Sequence, residues 1–336
     1  MPFLGEGSVM SEMIVLDNLT KRFGDLTAVD AVSMSVSRGE VLGFLGPNGA
    51  GKSTTMKMIC GYLTPTSGTA HVQGHDVVTQ PMAVKAAIGY LPEGAPTYGD
   101  MRVSSFLRFI AQVRGFSGAE IDRRVDRVRE MANLDEVFDR PVETLSKGFK
   151  RRVGLAQAIL HDPEVLIMDE PTDGLDPNQK HQVRTLIKDM AQDKAIVIST
   201  HILEEVEAIC TRAVVIAHGK LLADGTPEQL LSRDLRHNAV VVKLAADQAD
   251  DIVQGLSALD QIAGVDRLDD RGGTSANGAV AFRARPVDGA SIVLPVGDFL
   301  RSKNVTPEEM YVERGHMDEV FRTITQSGDV HRGGEA

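Results

Sequence analysis

The stretch Gly46-Pro47-Asn48-Gly49-Ala50-Gly51-Lys52-Ser53 decides the fold of this 336-residue chain. It has the spacing G-x-x-x-x-G-K-[ST], in which glycines leave room for backbone N–H groups to converge on one anion. The apolar run 41–45 before it predicts a strand, and residues 53–60 after it predict a helix with its positive end toward the same anion. This strand–loop–helix order predicts a phosphate-binding loop rather than a chance match.

Two side chains of this stretch have chemistry suited to a nucleotide. Lys52 supplies a mobile cation for the β and γ phosphates, and the Ser53 hydroxyl is a ligand for Mg²⁺. A second apolar run, 165–168, ends in two carboxylates, Asp169 and Glu170. Alone, that is an ordinary strand end with acidic residues in a loop. Beside a phosphate loop, it predicts that Asp169 holds Mg²⁺, directly or through water, and that Glu170 is the general base.

Composition narrows the class of protein. Apolar residues make up 42% of the chain, which favours a packed core over disorder. The net charge of −11 argues against nucleic acid as the main partner. The two cysteines, Cys60 and Cys210, have no partner at ligand spacing and are expected to be buried and reduced. No apolar run approaches the ~20 residues of a membrane span, and no signal pattern begins the chain. We therefore expect a cytoplasmic protein whose membrane role, if any, goes through a partner.

The chain is long enough for two domains. Residues 1–12 are an extension, and 13–236 form an α/β cassette interrupted by a helical insert at about 94–145. In that insert, 103–113 has a helical pattern and Ser117-Gly118-Ala119-Glu120 predicts a capping box. Runs 165–168 and 195–198 are uniformly apolar, as in strands of a parallel sheet that are buried on both faces. By contrast, residues 14–16 predict only a short strand.

Residues 237–326 form the second predicted domain. Their pattern reads strand, helix, strand, strand, helix, strand, helix, with a glycine-rich turn at 272–278. This order predicts a small ferredoxin-like α+β domain. The tail 327–336 is expected to be disordered.

Four further segments carry a resemblance to a known family. Leu145-Ser146-Lys147-Gly148-Phe149-Lys150 resembles the signature of ATP-binding-cassette (ABC) ATPases, and Pro171-Thr172-Asp173-Gly174-Leu175-Asp176-Pro177 resembles their D-loop. His201 resembles their switch histidine, and Phe23-Gly24 their adenine-stacking loop. The resemblance spans 13–231 and implies an α/β P-loop NTPase cassette: a RecA-like core with an antiparallel β subdomain and a helical subdomain.

The resemblance also implies a role for each matching residue. Phe23 stacks on the base of ATP, and His201 contacts the γ-phosphate and orients water together with Glu170. Ser146 and Gly148 contact the γ-phosphate of ATP held by a second copy, and Asp176 communicates across that interface. The phosphates are bound by a continuous run: Gly46, Pro47, Asn48, Gly49, Ala50, Gly51, Lys52, Ser53 and Thr54. The implied cofactors are ATP and Mg²⁺, and the implied assembly is a homodimer.

Three positions depart from the family pattern. Glu93 stands where the family usually has Gln, and we expect it to keep a catalytic, metal-sensing role as a ligand of Mg²⁺. Lys147 replaces a glycine and Phe149 a glutamine of the common signature; Lys147 either adds charge at the interface or lies in solvent. These variants and the closing segment 317–322 resemble the branch that serves ABC-2-type exporters, which includes gliding-motility and daunorubicin-resistance ATPases.

Two classes of function follow. The first is the ATP-hydrolysing subunit of a transporter that drives a separate ABC-2-type permease at the inner face of the membrane. A docking groove is then expected near Tyr98, Met101, Phe106 and Phe109, unless these residues are only the core of the insert. The alternative is a soluble cassette ATPase of translation or DNA repair. A regulator that does not hydrolyse ATP is disfavoured because Lys52, Asp169, Glu170 and His201 are all present.

Overall fold

The computed structural model describes residues 12–268 and 279–329. The chain divides into two compact units, with the boundary between Thr226 and Pro227. The sequence placed this boundary between 236 and 237. It lies earlier because the short helix α8 (Pro227–Leu231) packs against the last helix of the second unit. Within the described residues, no helix is both long enough and apolar enough to cross a bilayer.

The first unit contains an antiparallel sheet with the strand order β2-β1-β4-β5. Its strands are β1 (Glu12–Phe23), β2 (Leu26–Ser37), β4 (Ser67–Val72) and β5 (His75–Asp76). The prediction of a strand at 14–16 was too short. The strand continues past Leu16 because the register shifts between Leu16 and Leu19 and the backbone passes through Asn18 at φ 47°.

A six-stranded sheet forms the centre of the same unit, in the order β10-β9-β3-β8-β7-β6. All neighbours are parallel except the β9–β10 hairpin. Every residue of β3, β7 and β8 is buried, as the uniformly apolar runs predicted. The strands are β3 (Val41–Leu45), β6 (Ile88–Leu91), β7 (Val165–Asp169), β8 (Ala195–Thr200), β9 (Arg212–Ala217) and β10 (Lys220–Gly225).

Seven helices of the first unit complete the layers around this sheet in the described part of the chain. They are α1 (Lys52–Ile59), α2 (Pro81–Ala87), α3 (Val103–Val113), α4 (Ala119–Met131), α5 (Lys147–Ile159), α6 (Pro177–Ala191) and α7 (Leu203–Ile209). In the helical insert, α3 and α4 pack on each other and on α5. The predicted helix at 103–113 is confirmed at both ends.

The predicted capping box at the start of α4 is wrong. Gly118, at φ 54°, is the N-cap and offers no side chain to the helix. The carboxylate of Glu120 turns instead to Arg123 and Arg124, with 2.6 Å between its Oε1 and Arg124 Nε. A nearby pair of guanidinium groups therefore outcompetes the backbone N–H of Ser117 for this carboxylate.

The second unit has the predicted element order. Its sheet is antiparallel in the order β12-β13-β11-β14, with α9 and α10 packed over the apolar face, as in a ferredoxin-like α+β unit. The elements are β11 (Ala239–Ala245), α9 (Ala246–Ser257), β12 (Ile262–Leu268), β13 (Ala279–Pro286), α10 (Val293–Ser302), β14 (Glu309–Glu313) and α11 (Met317–Asp329). The predicted turn at 272–278 lies outside the described residues. Helix α11 continues past the predicted start of the tail.

Candidate functional site

The carboxyl ends of three neighbouring parallel strands bring the predicted residues together. The glycine loop follows β3, Asp169 ends β7 with Glu170 directly after it, and His201 follows β8. Ligand sites of open α/β sheets lie at this edge. A cavity of about 440 Å³ is present here, lined by Phe23, Leu26, Ala28, Asn48, Gly49, Ala50, Gly51, Lys52, Ser53, Thr54, Glu93, Asp169 and Glu170.

Glycine is required at several points of the loop for steric reasons. Gly49 and Gly51 have φ values of 80° and 106°, which side chains rarely adopt. A Cβ on Gly51 would lie 2.5 Å from the carbonyl oxygen of Ala28, and one on Gly46 would lie 2.4 Å from that of Ile216. Helix α1 begins directly at Lys52. The loop therefore presents backbone N–H groups and a helix N-terminus to the cavity, which suits a phosphate.

Lys52 is almost fully buried at the floor of this cavity. Its ammonium donates to the carbonyl oxygens of Gly46 at 2.7 Å and Pro47 at 3.2 Å. Burial lowers the pKa of Lys52, while the carboxylates of Glu170, Asp169 and Glu93 oppose that shift. The glycine loop, which the phosphates would contact, therefore holds the Lys52 ammonium in place. The surrounding carboxylates favour its charged form.

Asp169 is also buried, and it accepts a hydrogen bond from the Ser199 hydroxyl on β8. Glu170, the next residue, has a left-handed backbone at φ 50°, and its N–H donates to the carbonyl oxygen of Ser199 at 3.1 Å. A non-glycine residue in this region of φ/ψ space is strained, and the contacts to β8 hold it there. A regular strand would point two successive carboxylates to opposite faces of the sheet. This turn directs both of them into one cavity.

Glu170 and His201 form a direct contact. His201 Nδ1 lies 2.8 Å from Glu170 Oε1, so the imidazole donates to the carboxylate or pairs with it when protonated. Glu170 is mostly shielded from solvent, whereas His201 is exposed. This is the arrangement of a base and its orienting group, in which the histidine fixes the direction of the carboxylate.

Phe23 and Glu93 lie at the rim of the cavity. Phe23 is 49% exposed and is the last residue of β1 rather than part of a loop. The Lys21 ammonium lies 5.2 Å from its ring centroid. An exposed aromatic face beside a phosphate loop is suited to stacking on a base, and that role stays a prediction. Glu93 follows β6 and faces the same cavity as Lys52.

Five of the predicted binding residues do not line this cavity. Gly46 and Pro47 belong to the glycine loop itself, and their carbonyl oxygens accept from Lys52. The other three, Ser146, Gly148 and Asp176, lie on other elements. Ser146 caps helix α5 by accepting from Phe149 N–H at 3.3 Å, and Asp176 caps α6 by accepting from Gln179 N–H at 2.9 Å. A Cβ on Gly148 would lie 2.6 Å from Gln179 Oε1. Within one chain Ser146, Gly148 and Asp176 have structural contacts, so any contact of theirs with a nucleotide requires a second chain. That contact stays a prediction.

Lys147 lies in solvent, with 71% of its side chain exposed, but it is paired. Its ammonium pairs with Asp173 at 2.8 Å, and its methylenes cover Gly174. This ion pair lowers the pKa of Asp173. The substituted signature position is therefore tied to the D-loop within the same chain.

Several residues around the site were missed by the sequence analysis. Ser199 is hidden in a uniformly apolar strand, although it binds Asp169. Glu205 is buried and accepts from the hydroxyls of Thr172, in the loop after Glu170, and Thr200, the last residue of β8 before His201. Arg151 belongs to a basic run, 150–152, that resembles a solvated helix face, yet its side chain is buried. Only the tertiary fold reveals these contacts.

Comparison with known proteins places this site in a family. A model of the ABC transporter family matches residues 29–173. The Nod factor export ATP-binding protein I of Ralstonia nicotianae is 36% identical over 239 residues, which cover 71% of this chain and 74% of that protein. The chain belongs to the ABC transporter ATP-binding family. Members of this family bind ATP, which is the nucleotide that the cavity is built to take.

Other members of the ABC transporter family agree with this assignment. The probable multidrug ABC transporter ATP-binding protein YbhF of Escherichia coli is 39% identical over 226 residues, which are 67% of this chain and 39% of YbhF. A solved structure of an ATP binding subunit of an ABC transporter is 30% identical, with a TM-score of 0.61 over 65% of this chain and 91% of that one. The predicted P-loop NTPase cassette is thereby confirmed.

Proposed function

We propose that this chain is the ATP-hydrolysing subunit of a membrane exporter of the ABC-2 type, working as a pair of identical cassettes that drive a separate permease. One observation carries the proposal: the hydrogen-bonded Glu170–His201 pair stands at the edge of a cavity that also holds Lys52 and Asp169. A protein that only bound nucleotide would need the loop and the lysine, but not a positioned base. The relative named for Nod factor export supports export as the purpose, and the relative named as a probable multidrug ABC transporter protein supports transport.

The residues present suit Mg²⁺ as well as ATP. The Ser53 hydroxyl and the Asp169 carboxylate are hard oxygen ligands that line one cavity, and Mg²⁺ in nucleotide sites takes few protein ligands besides phosphate oxygens. When bound, Mg²⁺ neutralises charge on the β and γ phosphates. The Lys52 ammonium adds a second cation at the same place. Glu170 accepts a proton from water, and the hydrogen bond from His201 orients the Glu170 carboxylate for this step.

A second copy would complete the site. Ser146 and Gly148 lie at the start of α5 and outside the cavity, so in one chain they have no nucleotide to contact. Pairing two chains head to tail across the nucleotides supplies each cavity with the partner's α5 N-terminus, which favours negative charge. Asp176 and the Lys147–Asp173 pair then lie next to that interface. The site would therefore act as half of a switch that closes on ATP.

The helical insert offers a surface for the permease. Tyr98 and Phe109 are exposed by 56% and 37%, and their rings meet edge to face at 5.7 Å. Phe106 was predicted in the same groove, but it is 1% exposed and belongs to the core of the insert. Exposed paired aromatics are typical anchors of protein interfaces. At the inner face of the membrane, this pair would receive a cytoplasmic loop of the permease.

The docking surface has a direct test in vesicles that contain the permease. Tyr98→Glu should leave ATP hydrolysis unchanged and reduce transport by at least about tenfold, because the charge would be buried at the contact. Val113→Glu, an exposed apolar position on α3 outside the aromatic pair, serves as the control and should leave both unchanged. Loss of folding in Tyr98→Glu would instead assign Tyr98 to the core of the insert.

The catalytic assignment has its own test. Glu170→Gln keeps the shape of the side chain but cannot accept a proton, so ATP hydrolysis should fall by about 100-fold or more while ATP binding persists. Glu207→Gln, an exposed carboxylate on α7, is the matched control. An unchanged rate in Glu170→Gln would contradict the proposed function and would leave a nucleotide-binding regulator as the better description.

A further inference from the structure

Arg151 makes an unusual set of contacts beneath the site. It lies early in α5, the helix that Ser146 caps, and its side chain is 6% exposed. Its Nη1 donates to the carbonyl oxygen of Pro92 at 3.0 Å. Its Nη2 donates to the carbonyl oxygen of Glu170 at 2.5 Å and to that of Asp169. One guanidinium thus joins the segment before Glu93 to the end of β7.

We propose that Arg151 is a positioning residue that links the signature helix to the catalytic carboxylates of the same chain. This rests on the proposed function, in which the start of α5 contacts the partner's nucleotide. A shift of α5 on closure is then carried by Arg151 to the backbone of Asp169 and Glu170 and to the segment that presents Glu93. The rigid fork of a guanidinium can hold two segments at once, whereas a flexible ammonium is a single point of contact.

Charge gives a second reason for a cation at this position. Asp169, Glu170 and Glu93 place three carboxylates around one cavity, and Glu93 is the one that the family pattern lacks. The pKa of Arg151 is lowered by burial, and Asp173, Asp169, Glu170 and Glu93 oppose that shift by Coulomb attraction. Arginine keeps its charge even when buried. Arg151 therefore offsets the repulsion among these carboxylates from its position outside the cavity lining, while Lys52 does so from within the lining.

The neighbouring arginine shows that these contacts are not a general property of α5. Arg152 is equally buried, but its Nη2 donates to Gln182 Oε1 at 2.6 Å on α6 and its Nη1 to the carbonyl oxygen of Asn133 at 3.4 Å. None of those partners lines the nucleotide cavity. Among the residues that the structure describes, moreover, the Nε of Arg151 has no hydrogen-bond partner. A buried donor without a partner costs stability. The role of Arg151 is therefore to position the backbone that it contacts, rather than to stabilise the fold through a complete set of hydrogen bonds.

The test separates positioning from folding by measuring three quantities on the full chain: kcat for ATP, the affinity for Mg-ADP, and the thermal unfolding midpoint. Arg151→Gln should lower kcat by about 10- to 100-fold, because hydrogen bonds from a charged donor are lost in the hydrolytic arrangement. Mg-ADP affinity should stay within about threefold, since the glycine loop is untouched. Arg151→Lys should recover part of kcat, because the charge returns without the fork.

Arg124→Gln is the control for losing a half-buried arginine. Arg124 bonds the Glu120 carboxylate and the carbonyl oxygen of Leu160, both remote from the cavity. The kcat of the Arg124→Gln variant should stay within about twofold of that of the wild type. In addition, Glu93→Gln should change kcat less in the Arg151→Gln background than in the wild type, because the two residues act on the same segment.

Each outcome decides the proposal. A kcat for Arg151→Gln within twofold of the wild type contradicts it, and so does a loss of Mg-ADP affinity in proportion to kcat, which would indicate general damage. If Arg151→Gln does not fold, Arg151→Lys decides: reduced kcat with retained Mg-ADP affinity supports positioning, and unchanged kcat contradicts it. A wild type that does not hydrolyse ATP would contradict the proposed function instead, so the two failures are distinguishable.

Discussion

Glu93 changes the charge that a metal ion and a γ-phosphate would meet in the cavity. We expect it to contribute to Mg²⁺ binding, because a carboxylate is a stronger ligand than an amide. Glu93→Gln should therefore raise the Mg²⁺ concentration that gives half-maximal ATP hydrolysis by several-fold and should lower the rate. Titration of the ATPase rate with Mg²⁺ measures both effects. If both the rate and its Mg²⁺ dependence were unchanged, Glu93 would have no metal-sensing role.

His161 predicts a pH dependence of stability away from the site. Its Nε2 contacts the carbonyl oxygen of Ile88 at 3.1 Å. Burial lowers the pKa of His161 to about 4, and the Arg114 guanidinium adds to that shift. In the unfolded chain His161 is protonated below about pH 6.5, whereas in the folded chain it stays neutral down to about pH 4. His161 therefore contributes its full stability above about pH 6.5, and this contribution is lost as the pH falls toward 4.

The change His161→Gln should therefore flatten the dependence of unfolding on pH. Between about pH 7 and pH 4.5, its thermal midpoint should fall less than that of the wild type, since glutamine does not titrate. Thermal unfolding followed by circular dichroism gives both curves. Parallel curves for the two proteins would show that His161 does not titrate differently in the folded and unfolded chains.

At the residue scale, the sequence predicted those functional groups whose positions are set by residues next to them in the chain. Lys52 and Ser53 follow from the glycine loop, and Asp169 with Glu170 follows from a strand end, because neighbours in sequence set those positions. Arg151 and Ser199 could not be found in this way. Their partners are backbone carbonyls and a carboxylate on other elements, and only the packing of those elements brings them together.

Among the elements, β6 and α5 approach unusually closely. A Cβ on Gly89 would lie 2.2 Å from the carbonyl oxygen of Ala158 and 2.7 Å from a methyl of Leu166. Gly89→Ala should therefore destabilise the cassette by about 1–3 kcal/mol, because the strand and helix must separate to admit the methyl group. Urea denaturation of the variant and the wild type measures the loss of free energy.

Gly297→Ala provides a matched control in helix α10. In the described part of the chain, a Cβ at that position would meet no heavy atom within 4 Å beyond its chain neighbours and the backbone of its own helix. Since alanine is the better helix former, this change should be neutral or stabilising by up to about 1 kcal/mol. Equal stability of Gly89→Ala and the wild type would mean that β6 and α5 are less closely packed than in this structure.

Element prediction succeeded where one pattern dominated and failed where two interactions competed. The apolar runs of β7 and β8 and the helix α3 were predicted closely, because burial on one or both faces fixes their periodicity. The start of α4 was not, because Glu120 can bind either the backbone or two arginines. Strand β1 was cut short in prediction because a bulge can carry a strand through Asp17-Asn18.

On the scale of the whole molecule, the first unit carries the nucleotide cavity and the second is a separate α+β unit. The second unit has its own core, built from β11, β13 and the helices α9 and α10. Its element order was predictable because strands and helices alternate with clear turns. The position of its boundary was not, because α8 belongs to it through tertiary packing rather than through composition.

The central claim is that two chains together complete each ATP site. Lys52→Ala and Ser146→Arg damage opposite halves, so each variant alone should hydrolyse ATP at a small fraction of the wild-type rate. Mixed in equal amounts, they should recover about a quarter of that rate, because random pairing makes half of the dimers mixed and each mixed dimer has one intact site. A mixture as inactive as its components, with dimers present, would contradict the claim and would place the complete site within one chain.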